Sequence, residues 1–239
     1  MEEQKVYIYP KNAKRKLKSA KDHGQNIYIY GMTGYGKSEL INHYLARQKN
    51  LIVIDAENAV VGDFELPEGK NQKTTVVIDQ LQYADDEMVQ EEIRGLLYRK
   101  DLWVILVSRA TCPDYLMAYR LKGVGFVEIS EEDLSLSLTE MEEYLVKIGI
   151  IMNEENLQKL YQLSRGHGML LSITVDFMRQ DTMTNGTSTK VDETLVSRSQ
   201  KILWDYVEHK NCNLRNPIPL SYVQRSFSGE HYPIKIFIV

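Results

Sequence analysis

The sequence predicts an α/β fold, a parallel sheet covered by helices on both faces, followed by a small all-α segment. Two observations carry this. Short continuous apolar runs, such as Leu51-Ile52-Val53-Ile54 and Thr75-Val76-Val77-Ile78, alternate with stretches of helical spacing up to about residue 130. Runs of that kind belong to strands buried on both faces. Beyond residue 130 only helical spacing recurs. A chain of 239 residues has room for two such units. The expected division is 1–130 for the α/β unit, 131–210 for the helical unit, and an incomplete or irregular tail at 211–239.

The elements follow in order. A basic stretch with Lys11, Lys14, Arg15, Lys16, Lys18 and Lys21 precedes the first strand, Asn26–Tyr30. A glycine-rich turn leads to an amphipathic stretch from Lys37 to Arg47. Residues 51–55 form the second strand, and a polar loop with Pro67, Gly69 and Asn71 separates it from the third at 75–79. Residues 86–99 have helical spacing, with Met88, Ile93, Leu96 and Leu97 assigned to one face. Asp85, Asp86 and Glu87 favour a helix start there, because carboxylates complement the N-terminal dipole. Residues 103–107 and 125–129 supply a fourth and a fifth strand, and Pro113 suits the opening of the helix between them. Helical spacing then covers 139–148, 154–164, 169–179 and 195–209, with 182–190 read as a linker. The tail carries Pro217, Pro219 and Pro233 and ends Ile234-Lys235-Ile236-Phe237-Ile238-Val239, a β-prone segment that is an aggregation liability when exposed.

Composition excludes several classes. Two cysteines, Cys112 and Cys212, cannot make a disulfide framework or a Cys-rich zinc site. The five histidines show no metal-ligand spacing. No apolar run approaches the ~20 residues needed to span a bilayer, and the N-terminus lacks a secretory pattern, so the expected location is the cytoplasm. Net charge is 29 − 33 = −4. Residues 1–50 hold ten Lys/Arg against four Asp/Glu, and residues 51–100 hold five against eleven. The N-terminal excess reads as the solvated face of a helix rather than a nucleic-acid patch, because the whole chain is acidic and no aromatics interleave with the cations.

Gly31-Met32-Thr33-Gly34-Tyr35-Gly36-Lys37-Ser38 fits G-x-x-x-x-G-K-[ST] in full, with a strand before it and a helix after it. The glycines let backbone N–H groups turn inward around phosphate oxygens. Lys37 neutralises the β- and γ-phosphates, and Ser38 places a hydroxyl on Mg²⁺. Asp79 ends an apolar strand, the place for a second Mg²⁺ ligand. One strand lies between the two motifs in sequence, which suggests the subclass with an additional strand between them. Gln80 follows Asp79 and cannot act as a carboxylate base, so binding is better supported than hydrolysis. Arg109 ends the fourth strand, where a cation reaches the γ-phosphate. Lys37, Asp79 and Arg109 are therefore the candidate catalytic residues, Gly31 to Ser38 the nucleotide site, and Ser38 with Asp79 the metal site. The cofactors expected are ATP or ADP with Mg²⁺.

These motifs, together with Leu121 to Ile129, Leu134-Ser135-Leu136-Ser137-Leu138-Thr139-Glu140-Met141-Glu142-Glu143-Tyr144-Leu145 and Ser164 to Leu171, resemble the signal-transduction ATPases with numerous domains (STAND). The resemblance is strongest to the nucleotide-binding region of MalT-like, LuxR-type transcription regulators and covers roughly residues 7–209. It implies an AAA-like P-loop ATPase core with a small helical domain, working as a nucleotide-dependent switch with a protein partner or by self-association. Gln80 departs from the second acid usual there, Gly168 from a proline near the nucleotide, and Tyr9-Pro10-Lys11 from an adenine-side motif. No membrane segment is legible, and neither is the winged-helix domain, repeat array or DNA-binding module that usually follows in the family, so the chain is expected to be a truncated or decayed member, or a fragment.

Overall fold

The computed structural model describes residues 6–64, 66, 73–121, 125–185, 191 and 193–211. The expected loop residues Pro67, Gly69 and Asn71, the motif residues Lys122 to Val124 and the whole tail from 212 lie outside these. The α/β part runs α1 (Lys11–His23), β1 (Ile27–Tyr30), α2 (Lys37–Leu45), β2 (Leu51–Asp55), β3 (Thr74–Asp79), α3 (Glu87–Leu97), β4 (Leu102–Ser108), α4 (Asp114–Leu121) and β5 (Val127–Ile129). The helical part follows as α5 (Glu131–Leu134), α6 (Leu138–Lys147), α7 (Glu154–Ser164), α8 (Gly168–Asn185) and α9 (Glu193–Asn211).

The strands form one parallel sheet in the order β2-β3-β4-β1-β5. The additional-strand subclass is observed, but through a different strand from the one the sequence suggested. β2 separates the two motifs in sequence and lies at the sheet's edge, whereas β4 separates them in space. β4 therefore has neighbours on both sides and helices on both faces, and all seven of its residues are buried. Alternate residues feed two cores, as the two-residue period of a strand requires. Ile27, Ile29, Val77, Ile105 and Val107 pack under α1 and α2. Tyr28, Val76, Ile78, Val104 and Leu106 pack under α3 and α4.

Two expectations on helices are corrected. Met88 is 63% exposed, and Val89 takes the inward place. Met88 lies five residues before Ile93, about 140° around the helix, while Val89 at four residues falls on the same face. The first part of the expected linker at 182–190 is helical instead, because α8 continues through Asn185 with no glycine or proline to interrupt it; 186–190 lie outside the described residues.

A third core gathers α6 to α9, with Met141, Leu145, Leu160, Leu171 and Val175 at its centre. It is not sealed off from the sheet. Ile8 belongs to it, while Leu170 of α8 and Leu203 and Val207 of α9 pack into the core under α1. The buried Glu140 ties the parts by hydrogen bonds. Its Oε2 accepts from the Ser137 N–H and hydroxyl, both at 2.7 Å, completing the capping box of α6. Its Oε1 accepts from the Lys11 N–H at 2.6 Å. Pro10, at the N-cap of α1, makes no side-chain cap, so Glu140 provides one from 129 positions away. Part of the basic face of α1 turns to the same helices. Lys11 Nζ pairs with Glu143 at 3.2 Å and Lys16 Nζ with Asp133 at 2.6 Å.

Replacing Glu140 with alanine opens the capping box of α6 and removes the cap of the Lys11 N–H, at a cost of about 2 kcal/mol. The expected fall in melting temperature is roughly 4–8 °C, read from a thermal melt of Glu140→Ala beside the parent. An unchanged melt would show that water replaces the carboxylate at no cost.

Candidate nucleotide site

The loop from Gly31 joins β1 to α2 at the C-terminal edge of the sheet, where β3 also ends in Asp79 and β4 in Ser108. Ligands of open α/β sheets bind at this edge. α2 begins at Lys37, and its N-cap Gly36 has φ 78°. That left-handed conformation is strained for residues with a Cβ, and glycine brings no side-chain oxygen to the first turn. The N–H groups of that turn have no side-chain cap. Such open donors, with the helix dipole behind them, form an anion site.

Lys37 folds over the loop it belongs to. Its Nζ donates to the carbonyls of Gly31 and Met32, the latter at 2.8 Å. Ser38 Oγ donates to Asp79 Oδ2 at 3.1 Å, and Asp79 Oδ1 accepts from the Gln80 N–H at 2.7 Å. The metal candidates predicted from sequence therefore meet, although β4 separates their strands. Two side-chain oxygens and no larger group of His, Cys, Asp or Glu among the described residues suit Mg²⁺, which completes its shell with waters and substrate phosphates. When bound, such an ion would neutralise the phosphate charge from Ser38 and Asp79.

Arg109 stands beyond the end of β4. Its N–H donates to Gln82 Oε1 at 3.1 Å, and its Nη2 reaches Gln80 Oε1 at 3.5 Å. Arg109 Nη1 and Gln82 Nε2 are both buried with no hydrogen-bond partner. Unpaired buried donors are costly, and an incoming anion would satisfy them. Two cations at one desolvated place have an electrostatic consequence. Burial, and then the charge of Arg109, lower the Lys37 pKa to about 8, against the opposing pull of Asp79 and Glu131.

Two side chains that the motif gives no hint of also hold the loop. Glu131, in the first turn of α5, accepts from the Met32 N–H at 2.7 Å. His167, just before α8, approaches from the other side. Its Nδ1 accepts from the Leu170 N–H at 3.1 Å, so Nε2 carries the proton and donates to the Thr33 carbonyl at 3.3 Å. Burial lowers the His167 pKa to about 4, which keeps the ring neutral in this role. The Met169 N–H donates to the Gly34 carbonyl at 3.0 Å. A Cβ on Gly34 would stand 2.5 Å from His167 Cε1, so glycine is required there by close approach as well as by its φ of 95°. The sequence pointed to the neighbourhood of Gly168 through the family resemblance. The contact itself falls to His167 and Met169.

Comparison with known proteins bears on the fold. No protein-family model and no curated relative matches the sequence. Among solved structures, a Walker-type ATPase of Pyrococcus abyssi, PABY2304, aligns over 92% of this chain and 76% of its own at 12% identity, with a TM-score of 0.58. Domain III of the Thermotoga maritima replication initiation protein DnaA covers 82% of this chain and 92% of its own at 17% identity and TM-score 0.51. The Thermotoga maritima RuvB Holliday junction branch migration motor covers 82% and 70% at 18% identity and TM-score 0.52. The fold is that of a P-loop ATPase. At these identities the likeness is one of fold, a parallel sheet with an additional strand that matches AAA-like neighbours. No described helix of this P-loop protein is long and apolar enough to cross a membrane.

The lowered Lys37 pKa has a measurable sign. A bound triphosphate favours the charged lysine, so binding takes up a proton wherever the free protein has lost it. Affinity is full below pH 8 and falls as pH rises through that value. Between pH 7 and pH 9 the Kd for MgATP is expected to rise about tenfold, measured by fluorescence titration at constant ionic strength. A flat profile would mean that Lys37 stays charged in the empty site.

Proposed function

We propose that this chain is an ATP-binding switch of the signal-transduction ATPase type, in which the helical segment reads the state of the phosphate loop. The observation that carries this is the pair of hydrogen bonds from His167 and Met169 to the carbonyls of Thr33 and Gly34. In a phosphate loop, N–H groups face the anion and carbonyls face away. A phosphate that draws the N–H groups inward also sets the direction of the carbonyls, and those carbonyls are what α8 holds. ATP and ADP then differ in how strongly they favour one packing of α8 against the loop, and that difference biases the equilibrium.

Arg109 has the part of γ-phosphate sensor, supported by its buried, unpaired Nη1. Lys37 balances the β- and γ-phosphate charge, and Asp79 and Ser38 suit Mg²⁺. Hydrolysis is slow in this reading, since a switch needs a long-lived ATP state and Gln80 supplies no carboxylate. Regulation of transcription, through a protein partner or self-association, is supported by the sequence resemblance to MalT-like regulators.

The test is a thermal melt with nucleotide. MgATP at ~100 times its Kd stabilises the fold by ~2.7 kcal/mol, which is roughly 5–10 °C at this length. Lys37→Ala abolishes the shift. His167→Ala keeps ATP binding but loses the difference between ATP and ADP in protease protection of α8. No shift with any nucleotide, or a shift that survives Lys37→Ala, would overturn the proposal.

A further inference from the structure

We propose that copies of this chain associate head to tail, the basic outer face of α1 on one copy meeting the apolar, acid-rimmed surface of the 56–63 turn and α3 on the next. The inference goes beyond the nucleotide-binding reading, which supplies no partner surface, and it is tested without nucleotide.

The receiving surface starts from three exposed apolar side chains. Val60 is 63% exposed, Val61 48% and Met88 63%. They belong together, because the Gly62 N–H, beside Val61, donates to both Glu92 carboxylate oxygens at 2.9 and 3.1 Å, and Met88 lies one helical turn before Glu92. The turn itself is held in place. Asp63 Oδ2 accepts from the Val60 N–H at 2.8 Å, and Phe64 is buried in the core under α3. An ordered apolar patch with a polar rim marks a protein interface. This rim has one sign. Asp63, Glu87, Glu91 and Glu92 adjoin the three apolar residues in the turn or on α3, and the one cation of α3, Arg94, is already paired with Glu91.

The complementary surface is α1. Lys11 and Lys16 pair with acids of the helical part. Lys14, Arg15, Lys18 and Lys21 are exposed and form no ion pair among the described residues. Lys14, Lys18 and Lys21 recur every three or four residues, so they make one stripe along the helix. Lys14 Nζ lies 4.8 Å from the centre of the Tyr9 ring and Lys21 Nζ 5.5 Å from that of Trp103, contacts that order the side chains without neutralising them. Lysine stems are apolar, and they can cover Val60, Val61 and Met88 while their ammonium groups meet the acids.

The fold decides between one copy and two. α1 packs against β5, which ends the sheet at one edge, while β2, which leads into the turn, ends it at the other. α1 also covers the opposite face of the sheet from α3. The two surfaces therefore lie at opposite edges and on opposite faces, and no single copy can join them. Two copies can, and each junction leaves one surface of each kind open. Such a heterologous contact extends into a ring or a filament. The opposite charge excess of residues 1–50 and 51–100 has this placement as its structural counterpart. With only three apolar residues at its centre the contact is small, so association is weak and depends on salt.

The experiment is sedimentation equilibrium on the full chain without nucleotide. The average mass is expected to exceed that of one copy at ~100 µM protein. Raising salt from ~0.1 to ~1 M shortens the Debye length from ~10 to ~3 Å and is expected to lower the association constant about tenfold or more. Two charge-reversal variants locate the contact, Lys14→Glu with Lys18→Glu on α1 and Glu87→Lys with Glu91→Lys on α3. Each alone is expected to be a folded monomer by circular dichroism and sedimentation. Mixed, they associate again, because the reversed and the unchanged surface of each find opposite charge on the other. A folding defect gives no such recovery. A parent that stays monomeric at ~0.1 M salt would overturn the inference. So would association untouched by either variant, or association lost in both and not recovered on mixing. A monomeric parent whose α1 instead binds a duplex oligonucleotide would overturn it in favour of a nucleic-acid surface. None of these outcomes bears on nucleotide binding, which the melt with MgATP reads separately.

Discussion

Everything at the sheet edge follows from a helix that begins with nothing on its end. α2 starts after a glycine, its first-turn donors have no side-chain cap, and the charges of Lys37 and Arg109 oppose one another nearby. Left alone this is an unfavourable arrangement, because buried donors and like charges both oppose folding. The surrounding structure compensates without filling the place. Lys37 turns back on loop carbonyls, Asp79 draws in the Ser38 hydroxyl, and Glu131 takes the Met32 N–H. No side chain caps the first turn of α2 itself.

The same logic explains why the loop has two sides and two readers. Its N–H side faces the expected ligand. Its carbonyl side at Thr33 and Gly34 is held by the residues that open α8. A strand or helix could not do this, because its own ladder consumes both groups of each peptide. An irregular, glycine-rich turn exposes them to different partners, and so one short segment touches both the nucleotide position and the helical part.

The strands were readable from the sequence because each is a continuous apolar run, and the phosphate loop because its residue types have few alternatives. The motifs pointed to Asp79 and Ser38 together, and in the structure their side chains share a hydrogen bond. What the sequence could not show was anything that depends on which strands are neighbours. β2 intervenes between the motifs in the chain but not in the sheet, so the acids Asp55 and Glu57 gave no sign of reaching Gln80. The left-handed backbone of Gln80, the partners of its amide and the approach of His167 are likewise consequences of packing between distant segments. Gln80 read in sequence as the loss of an acid. In the structure its amide donates to Asp55 at the end of β2 and to Glu57 in the turn that follows.

The carboxylate of Glu140 has an implication for how the chain acquires its shape during synthesis. α1 leaves the ribosome before α6, and its N-terminal cap belongs to a residue 129 positions later. At ~5–20 residues per second, the helix waits on the order of ten seconds for the group that completes it. Contacts across such a span are closed late. α1 is thus made well before the group that caps it, and the core beneath it is completed only when the residues of α8 and α9 that also pack there have emerged.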